Sequence, residues 1–209
     1  MGSNPASRTS SDPSPIVQPD DGARSFRVTR LTKLRKCDLG SEAMRVLIVR
    51  HALAGSREEF ARSGKPDAER PVTADGKKKM RRAALGLRKV EPDIDRLVTS
   101  PYRRAAQTAR IVARTYGGVE PIVLQHLVPD VEPPVVARWL RAQRGVGTVA
   151  LVGHEPQLSG LATYLLTQDS EPVLELEKGA ACAIDLPAAR RTGSLVWLLT
   201  AKQLRALGK

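Results

Sequence analysis

"RVLIVRHALAG", residues Arg45 to Gly55, decides how the rest of the chain is read. Four consecutive aliphatic residues, Val46 to Val49, have the length and continuity of a strand buried on both faces. The strand then runs into an arginine, a histidine and a string of small residues. The chain has only three histidines, and one of them stands where a buried strand gives way to a turn. A second stretch repeats the pattern: "TVALVGHEP", residues 148–156, is an apolar run that ends in His154.

Between and around these two strands the period switches back and forth. Thr73 predicts a helix start over 74–90, where Met80, Ala83, Ala84, Leu87 and Val90 fall at helical spacing. "RLVTS" (96–100) reads as a strand, followed from Pro101 by a helix to about Tyr116 that Gly117 and Gly118 terminate. "PIVLQ" is a third strand and Val135 to Arg144 a short helix. Pro156 opens a helix reaching about Thr167, and two strands near 181–186 and 194–200 close the domain. Alternation of this kind predicts an α/β fold, a three-layer α/β/α sandwich on a mostly parallel central sheet, in a single domain. Trp139 and Trp197 fall on apolar patterns and are expected in the core.

At 209 residues the chain is long enough for one substantial core. Residues 1–43 are rich in Ser, Pro, Asp and Arg and cannot bury enough apolar surface to offset ordering entropy, so they are expected to be a disordered extension ahead of a domain spanning 44–209. Met44 stands directly before the first strand, where a start codon would fall; an over-long gene start or an added leader accounts for the extension as well as a native tail does. The extension lacks the continuous apolar segment of a secretory signal, and Asp12, Asp20 and Asp21 argue against a transit peptide. No apolar run approaches the ~18 residues of a membrane span. Cys37 and Cys182 suggest neither a disulfide framework nor a metal cluster, and a reducing cytoplasm is the simplest compartment.

The net charge of +12 raises the possibility of a nucleic-acid partner. The basic residues, however, lie along helices without the aromatic interleaving that single-strand binders use for stacking, and aromatics are 3% of the chain. Solvated helix faces are the preferred reading. The oligomeric state is not fixed by the sequence, and a monomer is favoured.

In parallel sheets, ligands bind outside the carboxyl ends of the strands. Three such ends here carry phosphate-compatible chemistry: Arg50 and His51, then Arg103 and Arg104 in the first turn of a helix, then His154. A neutral imidazole is a competent nucleophile toward phosphorus, and a phosphoenzyme splits one difficult displacement into two. Arginine forks supply the fixed positive charge that the phosphoryl oxygens require. No HxxxH, CxxC or Asp-rich cluster is present, so neither metal nor cofactor is expected.

The stretches "LIVRHALA", "RPVTADG", "VTSPYRRAAQTA" and "LVGHEP", in this order, resemble the histidine phosphatase superfamily. "RPVTADG" and "LEKGAACAIDL" resemble its small branch of SixA-type protein phosphohistidine phosphatases. The resemblance implies a phosphatase working through a phosphohistidine intermediate, with His51 as nucleophile, Arg50 and Arg104 as phosphate ligands and His154 as a second phosphate-contacting histidine. Arg104 is preferred to Arg103 by the family's Ser-Pro-x-x-Arg pattern, which leaves Arg103 to solvent. Arg70 resembles the branch's loop after the nucleophile, although an exposed loop arginine explains it equally well. The substrate implied is a phosphohistidine protein or a small phosphorylated metabolite. Two departures stand out. Ala52 replaces the glycine that usually follows the nucleophile, which would strain a backbone needing positive φ. The region that supplies a general acid in larger members is reduced to "LVPDVEPP", leaving Asp130 and Glu132 as candidates, or no acid at all. A catalytically weak phosphate-binding module of the same fold is the alternative. His126 has no partner pattern and is read as structural or exposed; Lys178, ahead of Gly179, is placed close to the pocket by the resemblance, with a solvated lysine at a turn as the stronger default.

Overall fold

The computed structural model describes residues 1–2, 43–143, 145–169 and 171–209. The expectation for residues 1–43 concerns residues that, apart from 1–2 and Ala43, lie outside these; Ala43 belongs to the first strand. Cys37 also lies outside them.

Among the described residues six strands form one sheet: β1 Ala43–Arg50, β2 Arg96–Thr99, β3 Ile122–Val123, β4 Thr148–Gly153, β5 Ala181–Pro187 and β6 Ser194–Leu199. Their order across the sheet is β3-β2-β4-β1-β5-β6. β1, β2, β3 and β4 pair in parallel, and β5 runs antiparallel to both β1 and β6. β4 is buried along its whole length, as its six residues predict. "PIVLQ" yields only the two-residue β3, both members exposed, because an edge strand has one neighbour and little to cover it.

The helices are α1 Arg57–Ala61, α2 Ala74–Val90, α3 Arg103–Thr115, α4 Pro133–Arg141, α5 Gln157–Thr167 and α6 Ala201–Leu207. The chain moves from β1 to β2 to β3 in one direction, then back through β4 to β5. With a uniform crossover hand, reversal of direction moves the connecting helices to the opposite face. Accordingly Leu47, Val49, Leu97, Ala150 and Val152 pack with α2, α3 and α6. Their alternate neighbours Val46, Ile48, Val98, Val149 and Leu151 pack with α4 and α5. Trp139 and Trp197, expected in the core, are only partly buried against its two halves. Among the described residues no helix is long and apolar enough to cross a membrane.

Several helix boundaries follow local chemistry. Thr73 Oγ1 accepts the Gly76 N–H at 2.9 Å and starts α2 at Ala74. α3 ends before Gly117 and Gly118, both in the left-handed region at φ 78° and 87°. Helix α6 was not expected, although its signature is present: Thr200 and Gln203 form a capping box. Its seven residues are too few for periodicity to stand out, and its stability comes from contact with α2. That contact needs glycine. A Cβ on Gly86 would lie 1.9 Å from the Leu204 carbonyl oxygen, and one on Gly208 would lie 2.0 Å from that of Arg82.

Gly86→Ala should therefore destabilise the protein by about 1–3 kcal/mol, as overpacking does, even though alanine favours an isolated helix by about 1 kcal/mol. Equilibrium denaturation measures this, and a variant as stable as the parent or more so would show that α6 does not pack as described.

Candidate active site

The β1–β4 register sets the site. Arg50 lies opposite Gly153, and the His51 N–H continues the ladder to Gly153 O at 3.0 Å. Two histidines that follow neighbouring parallel strands are thereby brought together: the His51 and His154 ring centroids are 5.0 Å apart, inclined at 55°. Both rings are buried, at 6% and 1% exposure.

Two contacts fix the tautomer of His51. Nδ1 lies 2.7 Å from Ala52 O, which can only accept, so Nδ1 carries the proton. Arg104 Nε donates to His51 Nε2 at 3.2 Å, so Nε2 holds the lone pair. Burial pushes the ring's pKa down from 6.5 to about 4, with the charges of Arg104, Arg50 and Arg70 acting in the same direction against the Ala52 hydrogen bond. His51 is neutral at pH 7. His154 is pushed lower still, to about 2, by burial first and then by the charges of Arg104 and His51. Its Nε2 lies 2.8 Å from Ser100 Oγ.

Arg104 stands at the start of α3, 4% exposed. Besides His51 it meets Asp67: Nη1 donates to Asp67 O at 2.9 Å and lies 3.0 Å from Asp67 Oδ2. Burial draws its pKa down against the pull of Asp67, yet a guanidinium remains charged at neutral pH. Arg103 next to it is exposed. Arg50 Nη1 donates to Leu176 O at 2.5 Å. Arg70 donates from Nε to Asp67 Oδ1 and from Nη1 to Gly55 O, both at 2.7 Å. It is thus not a free loop arginine: its side chain is 11% exposed.

Asp67, which sequence reasoning did not single out, joins these arginines. It sits in a 3-10 turn, Asp67–Glu69, between β1 and α2, and pairs with Arg70, Arg104 and, at 3.8 Å, Arg57. Burial alone would raise its pKa, but the Arg70 hydrogen bond and the arginine charges outweigh that and lower it. The carboxylate is ionised. Its signal in the sequence was its place three residues ahead of Arg70. Tyr102 was also missed. Its ring lies 5.0 Å from that of His154 and 5.1 Å from the Arg104 guanidinium carbon.

The departure at residue 52 carries no strain. Ala52 is not among the positive-φ residues, and its N–H is held by Thr108 Oγ1 at 3.0 Å. The turn that needs a left-handed residue is supplied opposite, by Gly179 at φ 81°, whose N–H meets Arg50 O and His51 O. Asp130 and Glu132 are exposed. Their loop is tied down by Gln157 Nε2, which donates to His126 O and Val131 O. His126 has an exposed side chain.

Comparison with known proteins gives a consistent picture. The profile of the histidine phosphatase superfamily (branch 1) matches residues 46–128. An uncharacterized protein of Picosynechococcus is 30% identical over 162 residues, 75% of this chain and 96% of that protein. The phosphohistidine phosphatase SixA of Escherichia coli K12 is 28% identical over 145 residues, 68% of this chain and 86% of SixA. The solved structure of the protein histidine phosphatase SixA complexed with tungstate superposes with a TM-score of 0.66 at 26% identity, covering 77% of this chain and 99% of that one. The alpha-ribazole phosphatase of Shigella flexneri shares the fold, with a TM-score of 0.58 at 18% identity over 76% of this chain and 97% of its own.

The buried neutral histidines make a prediction about pH. In the unfolded chain they titrate near 6.5, and in the fold near 4 and 2. Between pH 6.5 and 4 only the unfolded chain takes up these protons, so the stability is complete above pH 6.5 and declines as pH falls. The loss by pH 5 should be up to about 2 kcal/mol per histidine. Imidazole proton resonances of His51 and His154 should stay fixed from pH 8 to 5. A midpoint near 6.5 for either ring would overturn the electrostatic account.

Proposed function

The chain belongs to the histidine phosphatase superfamily, and on that premise we propose that it is a metal-independent phosphatase that hydrolyses phosphohistidine on a protein, through a phosphoenzyme on His51. The single observation that carries this reading is the tautomer of His51. A neutral ring with its proton committed to Ala52 O offers a lone pair on Nε2 beside a guanidinium, which is what attack on a phosphoryl group needs. The SixA relatives, named a phosphohistidine phosphatase in the sequence match and a protein histidine phosphatase in the solved structure, support this substrate class over a small phosphorylated metabolite. A reducing cytoplasm fits the free, buried Cys182.

In the first step His51 Nε2 forms a bond to phosphorus as the bond to the substrate's ring nitrogen breaks. The leaving imidazole departs as a neutral ring once its other nitrogen carries a proton, and its ordinary pKa near 6.5 makes that proton available near neutrality. A strong general acid is then unnecessary, and exposed Asp130 and Glu132 need not supply one. In the second step water attacks phosphorus, His51 Nε2 leaves with its pair, and inorganic phosphate is released. Arg50, Arg104, Arg70 and His154 hold the equatorial oxygens in both steps. Two buried nitrogens without partners among the described residues, Arg50 Nε and His154 Nδ1, support that role, since a phosphoryl oxygen would satisfy each. The Ser100 hydroxyl, which receives the Tyr102 N–H, has its own hydrogen free for His154 Nε2, and this assignment puts the donor proton of His154 on Nδ1.

Quenching with labelled substrate should trap one phosphoryl group per chain, stable in alkali and labile in acid, and His51→Ala should abolish it. Arg50→Ala and Arg104→Ala should each cost on the order of 10²–10³ in rate, as loss of a preorganised oxyanion donor does, and His154→Ala a comparable factor. A label on serine or cysteine, or normal turnover by His51→Ala, would end this mechanism. Because positive charge comes from arginine, chelators should leave turnover unchanged, whereas vanadate should compete with substrate; full dependence on an added divalent metal would refute that assignment.

A further inference from the structure

Beside the nucleophile, and on the α2–α6 side of the same sheet edge, lies a small, open cleft. Its walls include Ala52, Met80 and Gly179, and its cations are Lys79, Lys178 and Arg205. It adjoins the site: Ala52 follows His51 directly, and the Gly179 N–H is bonded to His51 O at 3.2 Å. Lys79 has a partner in Asp75 at 2.7 Å. Lys178 and Arg205 make no ion pair or side-chain hydrogen bond among the described residues. The helical layer around the cleft has the same sign. Segments 74–90 and 201–209 contain ten Lys and Arg residues and one acid, Asp75. Like charges at this density repel one another and favour an anionic partner.

We propose that this cleft docks an acidic side chain of the phosphoprotein substrate, a few residues from its phosphohistidine. The inference rests on the phosphohistidine-protein reading above and deepens it: the protein would select histidines flanked by Asp or Glu. An acidic residue two to four positions away on an extended substrate lies about 7–13 Å from the phosphohistidine. The cations at the rim meet the carboxylate. Rim charges of this kind act mainly on encounter and specificity. Nucleic acid is the less fitting partner, because no aromatic ring lines the cleft.

The test uses the full chain and two phosphohistidine peptides of equal length, one with Asp and Glu flanking the histidine and one with Ser and Gly there. The acidic peptide should be hydrolysed with a kcat/KM about fivefold or more higher at low salt, and the advantage should shrink as salt rises. Lys178→Glu and Arg205→Glu should remove the preference while leaving turnover of p-nitrophenyl phosphate unchanged. Lys178→Gln and Arg205→Gln, gentler changes, should reduce it. The unphosphorylated peptides, used as inhibitors of p-nitrophenyl phosphate turnover, give a readout independent of phosphohistidine chemistry. If neither phosphopeptide is hydrolysed, the substrate reading fails, while stronger inhibition by the acidic peptide still upholds the cleft. Equal kcat/KM and equal inhibition for both peptides would overturn the proposal. So would inhibition by a short DNA duplex that Lys178→Glu relieves as fully as it relieves the acidic peptide, since the surface would then read charge alone.

Discussion

The parallel pairing of β1 with β4 is the constraint on which the rest of the site depends. Arg50 opposite Gly153 means that the first residues beyond the two strands are both histidines, with their rings 5.0 Å apart. A slip of one residue would send His51 to the other face of the sheet and separate it from His154. The buried faces of both strands forbid such a slip, because Val46, Leu47, Ile48 and Val49 are committed alternately to the two halves of the core. The apolar core therefore supplies the geometry, and the polar chemistry at the strand ends rides on it.

Electrostatics then determine what the two rings can do. Burial and converging arginines hold both histidines neutral, which preserves the lone pair of His51. The same arginines would repel one another without a counter-charge, and Asp67 supplies it, reaching Arg70 and Arg104 with separate oxygens. The loop from Ala52 to Thr73 is folded back by the Ala54–Val72 bridge, the Thr73 N–H to Leu53 O and the Arg70 bond to Gly55 O. A segment without extended secondary structure is thereby fixed over the arginine that meets His51. At the opposite edge of the sheet a second cluster, Arg45 with Asp185 and Glu91, ties β1 to β5 and to the end of α2.

Several features were legible in the sequence because each is a local property. Continuous apolar runs marked β1 and β4, Thr73 marked the start of α2, paired glycines marked the end of α3, and Arg50-His51 and Gly153-His154 declared themselves at strand ends. The order of the motifs carried the superfamily. What could not be read is what depends on residues far apart in the chain. Helix α6 exists through its packing on α2 at Gly86, more than a hundred residues away. Asp67 is an ordinary loop acid until folding brings Arg104 to it, and Lys178 and Arg205 line one cleft only after β5, β6 and α6 are in place. Residue types and periods thus determined the elements and the candidate histidines; only the tertiary structure decided which ring nitrogen carries the proton, which carboxylate neutralises the arginines and where the cations gather, because those are set by distances between groups that the chain's order leaves unspecified.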